Sequence, residues 1–430
     1  MKRKIADKLL RWKDAPGRMP LLIMGARQVG KSYSIREFGK ARFKSLLIIN
    51  FELDEAYQSF FQNSLRPQDI IRNIESYFGT SIVIGDTLIF FDEIQLCERA
   101  LTALKYFYEE APEYHVIGAG SLLGITLNRK QSAFPVGKIM RVDLYPMDFQ
   151  EFLWATGNNY LDEQIRLCFQ SMRPLQQALH DKALALYRQY LLTGGMPAAV
   201  ATHVAESPAI PESDIRQFII SGYTADIAKF VDVAQGVRIR ACYDSIPQQL
   251  AKDNQKFQYK LAMRGGRAAL LGDAIDWLVQ SGIVLKCDLT TEGILPPKAY
   301  IDPASFKLYI NDVGLLSEQT RLTGASLGEE SQWFGSLAEN YMAQTFAANG
   351  FDLLYWSSGS TAEVDFILMI DGLVVPVEVK AGRRVRSRGL DVFIKRYNSK
   401  KAYRLSTKNF GQTDVIYSIP LYAAYLIEKS

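Results

Sequence analysis

The sequence predicts an α/β protein: a parallel sheet with helices on both faces, then a mostly helical middle, then a second, smaller α/β unit. Three observations predict it. Over residues 1–150, apolar strand-like runs alternate with helical ones, the pattern of a parallel sheet wrapped by helices. Gly25–Ser32 reads G-A-R-Q-V-G-K-S, which fits the pattern G-x-x-x-x-G-K-[ST] and lies between a strand-like and a helix-like run. Beyond Gly324, one helical pattern is followed by three short strand-like runs, with Gly372 at the turn between the last two.

The elements follow in order. Pro20–Met24 is a short apolar run, as a buried strand is. Ser32–Lys40 reads as a helix with Ile35 and Phe38 on one face. Further strands are expected at Ser45–Phe51, Thr87–Phe91, His115–Ala119 and Ile139–Leu144, with helices at Asp69–Phe78 and Leu101–Glu110. Tyr145-Pro146 breaks this alternation. From Met147 to Leu322 the chain reads mostly helical, with helices at Asp181–Leu192, Glu212–Phe230 and Val237–Leu250 and a turn at Gly194-Gly-Met-Pro197. Lys260–Leu285 resembles the helix-turn-helix part of a winged-helix module, with a turn at Gly265-Gly266, a helix at Ala268–Ser281 and a strand at Ile283–Cys287. Such modules bind DNA or serve as protein scaffolds, and both readings stay open. After the polar loop Gly324–Glu330 come a helix at Phe334–Asn349 and strands at Phe351–Trp356, Glu363–Ile370 and Leu373–Lys380. The expected division is a core at 1–150, a helical region at 151–235, a winged-helix-like region at 236–322 and a tail at 325–430.

Composition narrows the class. The 430 residues suffice for two to four domains with sizeable cores, and 48% hydrophobic with 22% charged residues is ordinary for a soluble globular chain. A net charge of +4 does not by itself demand nucleic acid. Cys97, Cys168, Cys242 and Cys287 form no C-x-x-C pair, which argues against a zinc ribbon or a disulfide framework and for a reducing, cytoplasmic setting. Three histidines argue against a histidine metal cluster. No apolar run is long enough to span a bilayer, and Met1-Lys-Arg-Lys-Ile lacks a signal peptide's apolar core, so no membrane partner is expected.

The glycine loop carries the first chemistry. Gly25 and Gly30 let the backbone turn tightly, so that the stretch Gly25, Ala26, Arg27, Gln28, Val29, Gly30, Lys31, Ser32, Tyr33 presents N–H groups and a helix N-terminus to phosphates. Lys31 reaches the β- and γ-phosphates, and the Ser32 hydroxyl ligates Mg²⁺. Thr87-Leu-Ile-Phe-Phe91 ends in Asp92-Glu93, which places one carboxylate, Asp92, in the metal shell and makes Glu93 the base that polarises water. Ser121, in Gly118-Ala-Gly-Ser121, either senses the γ-phosphate or closes a plain strand-to-loop turn. Together these residues predict hydrolysis of a nucleoside triphosphate with ATP and Mg²⁺ as cofactors.

The tail carries the second. Glu378 and Lys380 alternate on one strand and so share a face; Asp365 approaches them if its strand pairs as a hairpin; Glu339, on the preceding helix, adds a fourth group. Carboxylates at Glu339, Asp365 and Glu378 can hold Mg²⁺, with Glu378 and Lys380 in the catalytic set, an arrangement suited to cutting phosphodiesters. Between Pro376 and Asn409, eleven lysines and arginines stand against two acids, a cluster able to hold a phosphate backbone.

The helix–strand–strand order with Asp365, Glu378 and Lys380 resembles the PD-(D/E)xK restriction-endonuclease-like nucleases. The whole chain resembles the prokaryotic AAA-type ATPases that carry a C-terminal domain of unknown function. The resemblance rests on G-A-R-Q-V-G-K-S, on F-F-D-E-I-Q at Phe90–Gln95, on Gly118-Ala-Gly-Ser121, Leu144-Tyr-Pro-Met-Asp-Phe149 and Gly194-Gly-Met-Pro197, and on Asp312-Val-Gly-Leu-Leu316 with the tail set. It implies an AAA-type P-loop core, a helical and winged-helix middle, and a restriction-endonuclease-like tail. The family often has Gly-Arg where this chain has Gly137-Lys138, which leaves Arg141 and Arg129 as candidates for an arginine acting on a neighbour's nucleotide. Homo-oligomers or a partner protein would then complete the site. Two functions are carried forward. One is an Mg²⁺-dependent ATPase coupled to DNA through a tail that cuts or grips it. The other is an ATP-controlled signalling or interaction switch with an inactive tail. A pure helicase or translocase is the weaker third, because no further helicase-type motif is present.

Overall fold

The computed structural model describes residues 1–121, 137–252, 255–324, 327, 331–359, 362–381 and 388–429. The chain forms two compact units, one of residues 2–145 with 280–282, the other of residues 146–279 and 283–430.

The first unit contains α1 (Ile5–Lys13), β1 (Leu21–Gly25), α2 (Lys31–Arg42), β2 (Ser45–Asn50), α3 (Pro67–Phe78), β3 (Thr87–Asp92), α4 (Glu98–Glu110), β4 (His115–Ser121) and β5 (Met140–Asp143). The five strands form one sheet in the order β2-β3-β4-β1-β5, with every neighbouring pair parallel. β1, β3 and β4 are buried throughout, which is why their sequences are unbroken apolar runs rather than alternating ones. Residues such as Leu22, Ile23, Ile89 and Phe90 are fully buried, each contributing about 1.5–3 kcal/mol. α2 begins one residue later than its loop's last glycine, with Gly30 in the left-handed region at φ 91° as its N-cap.

The second unit opens with helices: α5 (Phe149–Ala155), α6 (Asn159–Ser171), α7 (Gln177–Thr193), α8 (Pro197–His203), α9 (Glu212–Phe230), α10 (Val233–Leu250), α11 (Tyr259–Ala262) and α12 (Ala268–Gln280). They are followed by β6 (Val284–Thr290), β7 (Ile301–Ile310), α13 (Val313–Gln319), α14 (Gln332–Ala348), β8 (Leu354–Ser357), β9 (Glu363–Val364), β10 (Phe366–Ile370), β11 (Leu373–Lys380), α15 (Arg388–Tyr397), β12 (Ala402–Ser406), β13 (Gly411–Thr413) and β14 (Ile416–Pro420). The strands make two sheets, β7-β6-β8-β9 and β10-β11-β12-β14-β13.

Three features differ from expectation. The stretch read as mostly helical contains β7, antiparallel to β6. Its sequence hides it: the pairing shifts register between Asp288 and Leu289, so Pro303 and its neighbours bulge from the ladder, where a missing N–H is tolerated. The expected strand Glu363–Ile370 is two strands in two sheets, broken at Asp365, whose carboxylate turns to accept the Val379 N–H at 2.7 Å. β8 starts at Leu354 rather than Phe351, where the chain leaves α14. The β10–β11 hairpin turns at Asp371-Gly372, both at positive φ (51° and 73°), the backbone of a two-residue turn that asks for Asp-Gly.

A knot of hydrogen bonds ties the second unit's first helices to α13. Asp312 is buried, caps α13 by accepting the Leu315 N–H at 3.2 Å, and accepts the Gly195 N–H at 2.6 Å. The Met147 N–H donates to Gly195 O at 2.6 Å, and the Tyr190 hydroxyl donates to Met147 O at 2.6 Å. The motifs Gly194-Gly-Met-Pro197, Asp312-Val-Gly and Pro146-Met-Asp thus meet at one point.

Candidate nucleotide site and acidic centre

At the carboxyl end of β1 the chain turns through Gln28 and Gly30, both at positive φ (64° and 91°). A Cβ on Gly25 would lie 2.2 Å from Leu144 O, so only glycine fits there. Lys31 is buried, and its Nζ donates to Gly25 O at 3.0 Å and Ala26 O at 2.8 Å. Ala26 and Val29 are buried, while Gln28 and Tyr33 are exposed. Ser32 Oγ donates to Asp92 Oδ1 at 2.8 Å. β3 and β1 flank β4, and this places Asp92 beside the loop although sixty residues separate them. Asp92 is buried and also receives Asn50 Nδ2 at 3.4 Å, with the Arg36 guanidinium 3.6 Å away. A hydroxyl and a carboxylate in contact are hard oxygen donors, a set that fits Mg²⁺.

Glu93 stands in the left-handed region at φ 52°, and its Oε2 accepts from Gln95 Nε2. Ser121 pairs in register with Gly25, so it faces the loop from the next strand; its hydroxyl is buried and without a hydrogen-bond partner among the described residues. Arg141 is engaged by Asp143 at 2.9 and 2.8 Å, and Arg129 lies outside the described residues. Sequence reasoning missed Arg3, which donates to Val29 O and to Tyr145 O, each at 2.9 Å, and braces the loop from behind. It also missed Asn50, Arg36 and Gln95; only Gln95, two residues from Glu93, had a local signal.

Burial lowers the Lys31 ammonium to about 8, against the raising pull of Glu93 and Asp92. Phosphate binds the charged form. Nucleotide affinity should therefore be flat below pH 8 and fall above it, by up to about tenfold per pH unit. Titration of a fluorescent nucleotide between pH 6.5 and 9.5 checks this, and in Lys31→Arg the fall should vanish.

The second centre lies in the tail. Glu378 Oε1 pairs with Lys380 Nζ at 2.5 Å, so the two share a strand face as their alternation predicts. Glu378 is buried, and its Oε2 has no hydrogen-bond partner among the described residues. The Asp365 carboxyl is pushed well above the usual range by burial, then by Glu378 and Glu339, against Lys307 and Lys380. Burial alone would lower Lys380; Glu378 and Asp365 outweigh it and hold its pKa up. Like charges crowded out of water call for a proton or a cation, and the partnerless Glu378 oxygen fits one.

Glu339 is differently engaged. Its Oε1 receives Lys307 Nζ at 3.0 Å and the Tyr309 hydroxyl at 2.5 Å. Among the described residues, no group of three or more His, Cys, Asp or Glu side chains is placed to hold one metal ion. Sequence reasoning missed Lys307 and Tyr309, which sit on the unrecognised strand β7; the visible signal was a lysine inside the apolar run Phe306-Lys-Leu-Tyr-Ile310. In the basic cluster, Arg396 is 3.4 Å from Glu292, while Arg383, Arg384 and Arg386 lie outside the described residues. Among the described residues no helix is long and apolar enough to cross a membrane.

Comparisons with known proteins bear on each part. Residues 17–153 match the family model of an AAA domain, and the first unit is therefore a P-loop domain of the AAA type. Residues 184–326 and 334–423 match two domains of unknown function, DUF8612 and DUF4143. No curated protein matches the chain. Among solved structures, the chain is similar to a Walker-type ATPase of Pyrococcus abyssi (14% identity, 74% of this chain and 95% of that one, TM-score 0.45). It is also similar to the Aeropyrum pernix ORC1 protein in complex with DNA (10% identity, 74% and 91%, TM-score 0.28). A third is AMPPCP-bound DnaA from Aquifex aeolicus (11% identity, 65% and 90%, TM-score 0.30).

Proposed function

We propose that this chain is an Mg²⁺-dependent ATPase whose tail engages DNA and holds a divalent ion. The observation that carries the reading is the contact between Ser32 and Asp92 beside the caged Lys31. Lys31 exchanges the Gly25 and Ala26 carbonyls for β- and γ-phosphate oxygens. Ser32 and Asp92 hold Mg²⁺, which supplies charge neutralisation on the phosphates. Glu93 takes the proton of the attacking water, with Gln95 orienting its carboxylate, and Ser121 contacts the γ-phosphate.

In the tail, Asp365 and Glu378 hold the ion and Lys380 stabilises the developing charge, while the basic residues from Arg388 to Lys408 grip the phosphate backbone. The second reading, a switch with an inactive tail, is favoured by one observation: Glu339 is already occupied by Lys307. One experiment separates them. Plasmid is incubated with the protein, Mn²⁺ and ATP at low salt, and phosphate release and nicking are followed together. The expected result is ATP turnover raised several-fold by plasmid, with nicking lost in Asp365→Ala while plasmid binding persists. Turnover indifferent to plasmid, with no nicking and no salt-sensitive binding, favours the switch.

A further inference from the structure

Lys307 is 2% exposed, yet its ammonium meets Glu339 at 3.0 Å and Glu363 at 2.9 Å. It also sits 5.1 Å from the centre of the Tyr355 ring. A lysine is rarely buried this fully, and removing an ammonium from water costs several kcal/mol unless it is paired. Here two carboxylates and a ring face meet it. Period-two alternation places Tyr309 on the same face of β7, and its hydroxyl donates to the same Glu339 oxygen. One oxygen of Glu339 thus carries two donors from β7. By contrast, Glu378 Oε2 is buried with no hydrogen-bond partner among the described residues, and Asp365 accepts the Val379 N–H.

We propose that Lys307 is a built-in cation of the tail's acidic centre: with Tyr309 it holds Glu339 as a positioning residue outside the metal shell, leaving Asp365 and Glu378 as the carboxylates that take a divalent ion. The inference rests on the reading of the tail as an ion-holding centre, and it reassigns Glu339 from ligand to scaffold. Its physical basis is competition. A carboxylate oxygen saturated by an ammonium and a phenol is a poor ligand, and a fixed positive charge beside the site repels a second ion. Lys307 comes from the β6–β7 hairpin, Glu339 from α14 and Glu363 from β9, so one ion-pair triad also locks three elements around the centre.

The test uses the full chain without nucleotide and Mn²⁺ alone as the probe, with free Mn²⁺ read from its electron paramagnetic resonance signal. The double variant Asp365→Asn, Glu378→Gln defines the background of other sites. Expected results are a loss of tail affinity of about tenfold or more in each single variant of that pair, and affinity within about twofold of wild type in Glu339→Gln. Lys307→Gln should bind Mn²⁺ about tenfold tighter, because it frees Glu339 and removes the repelling charge. A tenfold loss in Glu339→Gln would make Glu339 a ligand and overturn the proposal. An unchanged affinity in Lys307→Gln overturns it as well. If wild type binds no Mn²⁺ above background, the ion-holding reading fails by itself. A site gained in Lys307→Gln then still supports the built-in cation, and its absence ends it. If Lys307→Gln fails to fold, judged by its thermal melt, Glu339→Gln decides alone in a binding wild type. In a non-binding one, Glu339→Gln decides through stability: a melting temperature unchanged from wild type overturns the built-in cation, and a lowered one supports it.

Discussion

Lys31→Ala is expected to reduce ATP turnover to background, a loss of about 10²–10³-fold or more, measured as phosphate release at saturating ATP and Mg²⁺. The lysine is the one buried cation that the loop aims at phosphates, and its present partners are two carbonyls of the same loop. Alanine vacates the space that the ammonium fills, so water can take its place on those carbonyls, and the protein without nucleotide should melt within a few degrees of wild type. That separation matters. Lost turnover with an unchanged melt assigns the effect to chemistry, whereas wild-type turnover in Lys31→Ala refutes the nucleotide site. Asp92→Asn and Ser32→Ala should lose turnover in the same direction, since the first removes the carboxylate charge and the second the hydroxyl that meets it.

The largest effect on stability is expected at Asp312. Asp312→Ala should destabilise the second unit by about 3 kcal/mol or more, because it removes a helix cap and strands the buried Gly195 N–H. The melting temperature should fall by about 5–10 °C. Gly195→Ala tests the same knot from the other side, since a Cβ there would lie 1.8 Å from Met147 O and the backbone must move. Asp312 also sets a pH slope. Burial pushes its carboxyl up to about 6, against the lowering contributions of the Gly195, Leu315 and Gly314 N–H groups. The folded state therefore holds a proton that the unfolded state has released between about pH 4 and 6, and stability from this group is lost as pH rises through that window. Thermal melts between pH 4 and 7 should show that slope in wild type and lose it in Asp312→Ala.

The two centres differ in how far they could be read from sequence, and the reason is physical. The nucleotide site is local. Eight consecutive residues carry the loop, and the strand that brings Asp92 is a fully buried run that periodicity recognises. The tail centre is assembled from β7, α14, the break at Asp365 and β11, so its chemistry depends on pairings that no local pattern contains. Asp365, Glu378 and Lys380 were legible because a hairpin turn lies between them. Lys307 was not, because β7 is masked by a proline-bearing bulge and a buried lysine looks in sequence like any surface lysine. The sheet-switching break at Asp365 was hidden as well: Glu363-Val364 runs within one residue into the unbroken apolar run Phe366–Ile370, and only the Val379 amide explains why the chain turns.

The sheet β7-β6-β8-β9 draws two of its strands from before residue 311 and two from after residue 353, with β6 parallel to β8 in its interior. A genetic cut near residue 330 would leave β8 with an open, apolar edge of the kind that pairs with other chains, and would strip Glu339 of its lysine. The C-terminal part is therefore not a cassette that recombination can transplant onto another ATPase by itself. A tail moved to another protein is expected to need the β6–β7 hairpin with it, as one block.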